Sequence, residues 1–213
     1  MISREMEKTY LITKSKKGEV IQWDNLVSAE IGNYLWEINE YCPNASAKAF
    51  YDERSINLQL SVYEKQIKAV YKDMNDPVYK DSCLECFIQP DPINDGRYLN
   101  FEFNSKGTLL LGLGSGREDR SLFDKEVLKY FNILVFDEIK GDIHKWGVEF
   151  CIPIEFLQKI YPGFELTGGG LMKGNFYKCG DETKYPHYGC WNAIVSEKPD
   201  FHCPEYFGTW ILE

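Results

Sequence analysis

The sequence predicts an all-β fold, an antiparallel β-sandwich of the jelly-roll or immunoglobulin-like type with one or two short helices. Two observations carry this prediction. At least seven segments are rich in aromatic and branched residues and are bounded by turn-forming residues, whereas convincing helical spacing occurs in one segment. The chain has 213 residues and shows neither a repeat nor a linker, so we expect a single domain over residues 1–213.

The clearest predicted strand is Ile56–Tyr63, in which apolar and polar residues alternate with the period of two that a half-buried strand requires. Six further strands are predicted from their aromatic and branched residues, and these are Leu84–Gln89, Tyr98–Asn104, Phe131–Phe136, Lys145–Ile152, Leu171–Lys178 and Phe207–Leu212. The turn-forming run Asn104–Gly107 predicts a hairpin between Tyr98–Asn104 and Thr108–Leu113.

The helix prediction covers about Pro153–Ile160. A proline suits the first turn of a helix, and Ile154, Leu157 and Ile160 follow at helical spacing. A further short helical turn is predicted within Leu122–Tyr130. Because strands far outnumber helices, a sandwich is favoured over an α/β fold.

The charge balance limits the partners. Lys and Arg number 24 and Asp and Glu number 33, which gives a net charge of −9. Binding to nucleic acid needs a basic face, so no nucleic-acid partner is expected. No apolar run reaches the ~20 residues that span a bilayer, so no membrane partner is expected either. A neutral or cationic ligand is compatible with the net negative charge. The sequence leaves the oligomeric state open.

The N-terminal segment and the cysteines indicate a compartment. Met1–Tyr10 carries charged residues where a signal peptide needs an apolar stretch, so we expect a cytoplasmic location for the chain as written and leave open the secretion of a longer precursor. The seven cysteines are an odd number and are expected to be reduced thiols. Cys83 and Cys86 have the spacing of a zinc motif, but residues three apart in a strand point to opposite faces, so packed thiols are expected.

Polar side chains share one parity on several predicted strands. In Tyr98–Asn104, Asn100 and Glu102 face one side and the phenylalanines face the other. Glu85 and Tyr177 lie on two other predicted strands, where they alternate with apolar residues in the same way. If these strands share a sheet, their carboxylates and amides form a polar face that suits the hydroxyls of a carbohydrate partner. The alternative is the solvated polar face that antiparallel sheets commonly show.

Two loops carry further candidate ligands. Hard oxygen atoms gather before one strand and predict a calcium site formed by Asp73, Asn75, Asp76 and Asp81. The sequence requires no cofactor, and calcium is the possible cofactor for which it offers candidate ligands. In the loop before the last strand, Phe201 and His202 place an aromatic ring and an imidazole where they can contact a ligand.

Five landmarks resemble, in order, those of the family 9 carbohydrate-binding-module-like domains, and these are Asp76–Phe87, Tyr98–Asn104, Gly174–Asp181, Trp191 and Asp200–Gly208. The resemblance extends from about Trp23 to Leu212. It implies a β-sandwich related to the xylan- and cellulose-binding modules that are appended to glycoside hydrolases of carbohydrate catabolism. Such modules often carry structural calcium.

The resemblance also implies a site. The family's glutamate on the strand after the Asp-Ser motif matches Glu85. The family holds its sugar between two tryptophans, and here Val78-Tyr79 and Phe201-His202 stand at those places. Glu102 stands where the family has a basic contact. We therefore expect a carbohydrate site formed by Tyr79, Glu85, Asn100, Glu102, Tyr177, Trp191, Phe201 and His202.

The leading hypothesis is a non-catalytic domain that binds a mono- or oligosaccharide of the xylan or cellulose type. One alternative is a glycoside hydrolase that uses carboxyls from Glu85, Glu102 or Glu149, because such enzymes place two carboxyls across the scissile bond. Another alternative is a sandwich that binds haem, or a protein partner, at its aromatic rim.

Overall fold

The computed structural model of the protein describes residues 7–16, 19–36 and 39–213. Thirteen strands lie within these residues, and they are β1 (Thr9–Lys14), β2 (Ala29–Ile31), β3 (Asn44–Tyr51), β4 (Ser55–Glu64), β5 (Cys83–Gln89), β6 (Tyr98–Asn104), β7 (Leu109–Gly114), β8 (Ser121–Leu122), β9 (Leu134–Lys140), β10 (Ile143–Pro153), β11 (Leu171–Cys179), β12 (Tyr188–Cys190) and β13 (Gly208–Leu212). The predicted all-β class is confirmed.

Helical structure is short. The predicted helix is confirmed as α1 (Ile154–Ile160), which begins directly after Pro153. The helical turn predicted within Leu122–Tyr130 is a 3₁₀ helix over Lys125–Tyr130. Three more 3₁₀ turns lie among the described residues, at Trp23–Asn25, Val78–Lys80 and Pro204–Tyr206. None of the helices in this part of the chain is long and apolar enough to cross a membrane.

The strands form one curled sheet in the order β8-β7-β6-β5-β11-β13-β1-β3-β4-β10-β9, with β12 beside β11 and β2 beside β3. The predicted antiparallel pairing needs one correction, because β1 runs parallel to both of its neighbours. Tyr10 lies opposite Trp210 of β13, and Thr13 lies opposite Phe50 of β3. Strand β1 thus joins two halves of the sheet, which fold over each other as a sandwich.

The core lies between these halves. One large cluster combines buried residues of β4 and β10 with those of β5 and β6. The ring centroids of Phe103 and Phe150 lie 4.8 Å apart across it, and Phe101 and Phe150 are 5.4 Å apart. Burial of such rings is the main favourable contribution to folding. This packing also fixes which parity of β5 and β6 points away from the core.

The predicted hairpin is confirmed. Strands β6 and β7 pair antiparallel, and the Gly107 N–H donates to the Asn104 carbonyl across the turn. Gly107 has φ 75, in the left-handed region that glycine occupies without strain. The alternation of apolar and polar residues in Ile56–Tyr63 is confirmed by β4, in which alternate residues are buried.

One predicted strand begins too early, and five observed strands were not predicted. Phe131 ends the 3₁₀ helix, Asn132 has φ 44, and the strand predicted from Phe131 begins only at Leu134. The missed strands are β1, β2, β3, β8 and β12, of which β8 and β12 have only two and three residues. In strand β3, buried alanines alternate with less buried residues. Because alanine is a weak strand former, the residue types of β3 did not indicate a strand.

The polar parity of β5, β6 and β11 does not face bulk solvent. Every residue of β5 and β6 is buried, and a second cluster covers this side of the sheet with Val78, Phe201 and Phe207 among its members. Neither face of β5 or β6 is therefore the open, solvated surface that the alternative interpretation of the polar parity predicts.

Candidate functional site

A cavity of about 530 Å³ lies over β5, β6 and β11, on the side of the sheet that faces away from the main core. It is lined by Tyr79, Glu85, Glu102, Arg117, Arg120, Cys179, Asp181, Tyr188, Lys198, Pro199, Asp200, Phe201 and His202. Its volume falls within the range of small-molecule sites. The cavity thus brings together five of the eight residues predicted to bind carbohydrate, and these are Tyr79, Glu85, Glu102, Phe201 and His202.

The cavity floor consists of three buried residues of the sheet, Glu85, Glu102 and Cys179. Antiparallel pairing of β5 with β6 places Glu85 directly opposite Glu102, and each glutamate is only 2% exposed. The Cys179 thiol donates to Glu85 Oε1 at 2.9 Å. On the other side, Asn100 Nδ2 donates to Glu102 Oε1 at 2.9 Å. Two carboxyls therefore stand side by side at the base of the cavity.

Burial raises the pKa of both floor glutamates, because a low-dielectric site disfavours the charged form. The pKa of Glu102 is raised to about 7, against the lowering influence of Arg120. The pKa of Glu85 is raised well above its usual value, and the neighbouring charge of Glu102 raises it further. Burial therefore favours the protonated form of Glu85, in which the carboxyl group can both donate and accept a hydrogen bond.

Arg120 connects Glu102 to His202. Its Nη1 lies 3.2 Å from Glu102 Oε1 and 3.1 Å from His202 Nε2. A guanidinium only donates, so His202 Nε2 accepts, and the imidazole proton is on Nδ1, which donates to the Tyr98 hydroxyl at 2.7 Å. Burial, and then the charges of Arg120 and Arg117, lower the pKa of His202 to about 3. The imidazole is neutral and fixed on both sides.

A second arginine fastens the loop that carries Phe201 and His202. Arg117 Nη2 donates to Asp200 Oδ1 at 2.8 Å, and the same oxygen accepts from the His202 backbone N–H at 3.0 Å.

Asp181, which follows β11, is another acid of the cavity. Burial raises the pKa of Asp181 to about 6 despite the charge of Arg117. The polar lining therefore mixes carboxyl and guanidinium groups.

Three rings form the cavity wall: Tyr79, Tyr188 and Phe201. Tyr79 lies in the 3₁₀ turn Val78–Lys80, and its carbonyl accepts from the Asp181 N–H, which ties this turn to the end of β11. Phe201 is stacked on Tyr177, with ring centroids 4.1 Å apart and 9° between the planes. The wall is thus supported from behind by buried groups.

Three residues predicted for the site do not line the cavity. Tyr177 is fully buried behind Phe201, and its hydroxyl donates to the Phe201 carbonyl. Asn100 lies beneath the floor, where it holds Glu102. Trp191 belongs to the main core, and its ring packs against Tyr10 and Phe176. The structure therefore places these three as supports or core residues.

The residues predicted to bind calcium have mostly structural partners. Asp76 Oδ2 accepts from two backbone N–H groups, those of Lys72 and Asp73. The amide of Asn75 bonds to the backbone of Phe123 and Leu111. Asp81 Oδ2 accepts from the N–H groups of Val70 and Tyr71 and from Asn104. Nothing in these contacts tests calcium binding, which stays a prediction.

Several lining residues were missed by the sequence analysis. Cys179 and Asp181 have the parity of Tyr177 on and just beyond β11, so the alternation that indicated Tyr177 also contained them. Arg117 and Arg120 lie in the connection between β7 and β8, and Lys198 to Asp200 lie in a loop. Loops carry no periodic signal. Arg120 brings a basic group next to Glu102, which stands where the family has a basic contact.

Comparisons with known proteins add three findings. The family model described as carbohydrate-binding family 9 matches residues 15–212. No curated protein sequence matches the chain. A solved structure described as a candidate carbohydrate-binding protein from Bacteroides uniformis is 29% identical, with a TM-score of 0.83 over 98% of this chain and 100% of that one.

Two further solved structures show a family 9 carbohydrate-binding module from Caldicellulosiruptor kristjanssonii. The complex with cellotriose is 12% identical, with a TM-score of 0.61 over 97% of this chain and 94% of the module. The complex with glucose is 13% identical, with a TM-score of 0.61 over 97% of this chain and 96% of the module. At this identity the likeness shows the fold alone.

Proposed function

The chain belongs to carbohydrate-binding family 9, and from that premise we propose that the cavity above Glu85 and Glu102 binds a mono- or oligosaccharide without cleaving it. The observation that carries the proposal is the pair of buried carboxyls at the cavity floor, directly opposite each other on β5 and β6. A buried carboxyl is costly unless its hydrogen-bonding capacity is used. A ligand rich in hydroxyl groups uses that capacity.

The polar lining matches the hydrogen-bonding needs of a sugar. Each sugar hydroxyl donates one hydrogen bond and accepts others, as a serine hydroxyl does. The guanidinium of Arg120 donates, an ionised Asp181 accepts, and the protonated form of Glu85, which burial favours, does both. Neighbouring hydroxyls on one ring can therefore find complementary partners along the cavity floor.

The aromatic wall supplies the apolar part of recognition. A pyranose ring has C–H faces that pack well against flat aromatic surfaces. Phe201 is held in place by its stacking on Tyr177 and by the anchoring of Asp200 to Arg117. A fixed ring loses little conformational freedom when it binds. We therefore propose that a sugar packs between Phe201 and the tyrosines of the wall while its hydroxyls reach the floor.

We further propose a ligand of the xylan or cellulose type, in line with the cellotriose and glucose bound by the Caldicellulosiruptor module. Isothermal titration calorimetry against xylose, glucose, xylo-oligosaccharides and cello-oligosaccharides tests this proposal. We expect heat of binding with at least one member of the panel. Absence of heat across the panel at millimolar ligand, with folded protein, would contradict it.

Substitution of the floor glutamates locates the binding. In Glu85→Gln and Glu102→Gln we expect the affinity to fall by about tenfold to a hundredfold, because a hydrogen bond to a charged or buried carboxyl contributes about 1.5–3 kcal/mol. The matched control is Glu149→Gln. Glu149 is a strand glutamate of β10 that accepts from Gln59 Nε2 at 2.8 Å and does not line the cavity. Equal losses in all three variants would contradict the proposed location.

The opposed carboxyls also favour a second candidate function, hydrolysis of a glycosidic bond. Two neighbouring carboxyls with perturbed pKa values are a pattern of acid–base catalysis, and burial raises the pKa of both Glu85 and Glu102. Turnover of aryl xylosides or glucosides that is lost in Glu85→Gln and Glu102→Gln but kept in Glu149→Gln would support hydrolysis. Absence of turnover beside clear binding heat would leave the non-catalytic proposal.

A further inference from the structure

Two buried cysteines and a glutamate meet on one face of the sheet at the cavity floor. Strands β5 and β11 pair so that Cys83 lies directly opposite Cys179, and Glu85 follows two residues later on the same face as Cys83. The two Sγ atoms and one carboxylate oxygen of Glu85 all lie within 4.8 Å of one another. No other group of three His, Cys, Asp or Glu ligands is this close among the described residues.

This arrangement differs from the motif visible in the sequence. Cys83 and Cys86 have zinc-like spacing, but Cys86 points to the main core and Cys83 belongs to the second cluster on the opposite face. The partner of Cys83 comes instead from β11, nearly a hundred positions later in the chain. Cross-strand pairing therefore creates a ligand set that spacing along one strand excluded.

The separations suit a thiophilic cation. Zinc binds thiolates at about 2.3 Å and carboxylates at about 2.0–2.2 Å in tetrahedral geometry. Ligand atoms around such an ion lie about 3.3–3.8 Å from each other. The cluster already has its atoms within 4.8 Å, with Cys179 Sγ and Glu85 Oε1 at 2.9 Å. The three ligand atoms therefore lie close to the separations that such an ion requires.

The charge and the access also suit a cation. Two arginines also line the cavity, but each forms its ion pair with an acid other than Glu85: Arg117 pairs with Asp200 and Arg120 pairs with Glu102. Cys179 and Glu85 line the cavity, whereas Cys83 is fully buried behind them. An ion that enters through the cavity reaches all three ligands and keeps one coordination position toward the cavity.

We propose that Cys83, Cys179 and Glu85 bind a thiophilic divalent cation of the Zn²⁺ class, with the remaining coordination position open to the cavity. The two thiols and Glu85, where it is protonated, lose their protons to solvent as the ion binds, and no electron is transferred. Binding therefore strengthens as the pH rises. The proposal goes beyond carbohydrate binding and does not depend on it.

Titration with Co²⁺ tests the proposal. Reduced protein, freed of metal with a chelator, receives Co²⁺ while the thiolate-to-cobalt charge-transfer absorption is recorded, and Zn²⁺ is then added as a competitor. We expect one Co²⁺ per chain, displaced by Zn²⁺. The absorption should be lost in Cys83→Ser and in Cys179→Ser. It should be kept in the matched control Cys42→Ser, whose thiol is exposed and outside the cluster.

The folded wild-type protein supplies a second test that needs no substitution. X-ray absorption at the zinc edge counts sulfur ligands, and we expect two. Fewer than two sulfur ligands, no charge-transfer absorption at tenfold excess of Co²⁺, or absorption that survives in both cysteine variants would overturn the proposal. Sugar calorimetry on chelator-treated protein is a separate measurement, so failure of metal binding and failure of carbohydrate binding are distinguishable.

Discussion

Strands β4 and β5 differ in what covers their second face. In β4 buried and less buried residues alternate, so one face packs in the core and the other remains partly open to solvent. Every residue of β5 is buried, because loops that carry Val78 and Phe201 cover the face opposite the core. Polar residues on a covered face need partners, and this is where the protein forms its cavity.

The comparison shows how one sheet performs two tasks. Side chains between the two halves of the sheet are apolar and hold the sandwich together. On the covered face of β5 and β6, Asn100 and Glu102 form a buried network with Arg120, and Glu85 accepts from the Cys179 thiol. The network leaves carboxyls at the cavity floor. We therefore expect stability to depend mainly on the core and ligand binding to depend mainly on the covered face.

The largest expected effect is on stability. Phe150→Ala removes a ring that packs between the halves of the sheet against Phe101 and Phe103. We expect the free energy of unfolding, measured by urea denaturation, to fall by about 3–5 kcal/mol. Saccharide affinity of the folded fraction, measured by calorimetry, should be unchanged, because Phe150 does not line the cavity.

Phe201→Ala is the counterpart on the covered face. Its ring borders the cavity on one side, so we expect a smaller loss of stability than in Phe150→Ala and a fall in affinity of more than tenfold. If Phe150→Ala weakened binding as much as Phe201→Ala does, the proposed separation between the core and the covered face would be wrong.

The next effect concerns pH. The pKa of Glu102 is raised from 4.5 to about 7 in the folded protein, so folding favours its protonated form. This contribution to stability is fully present below about pH 4.5 and is lost as the pH rises toward 7. Urea denaturation at several pH values should show wild-type stability falling relative to Glu102→Gln across this window, by about 1–3 kcal/mol.

Asp181 should behave in the same way over a lower window, because burial raises its pKa from 3.8 to about 6. The stability of the wild type should therefore fall relative to that of Asp181→Asn as the pH rises from about 4 to about 6. Stability curves of wild type and both variants that run parallel from pH 4 to pH 7 would contradict the account of the buried carboxyls.

The smallest effect is expected at the hairpin turn, away from the cavity. Gly107 has φ 75, and a Cβ there would lie 2.9 Å from the Val135 side chain. Gly107→Ala should therefore lower the free energy of unfolding by about 1–2 kcal/mol with unchanged sugar affinity. The control is Gly96→Ala, where a Cβ meets nothing within 4 Å. A similar loss in both variants would contradict the turn strain.

Strand alternation predicted much of the fold. The parity of Ile56–Tyr63 and Tyr98–Asn104 identified the core faces of β4 and β6 correctly, because a side-chain period of two is a direct consequence of strand geometry. The same parity indicated Glu85 and Glu102. It did not show that loops would cover their face, since coverage depends on contacts between residues far apart in the chain.

The remaining site residues were outside the reach of local patterns. Trp191 was expected at the rim of the site, but it packs in the core against Tyr10 and Phe176. Arg120 reaches Glu102 from the connection between β7 and β8. The meeting of Cys83 with Cys179 depends on the register of β5 and β11. Tertiary pairing, not propensity, decides each of these placements.

The most direct test of carbohydrate binding at this cavity is a crystal structure with xylobiose or cellobiose, whichever binds more tightly in calorimetry. The account predicts a sugar ring packed against Phe201, with hydroxyls within hydrogen-bond distance of Glu85 and Glu102. A sugar bound on another surface, with the cavity occupied only by water, would contradict it.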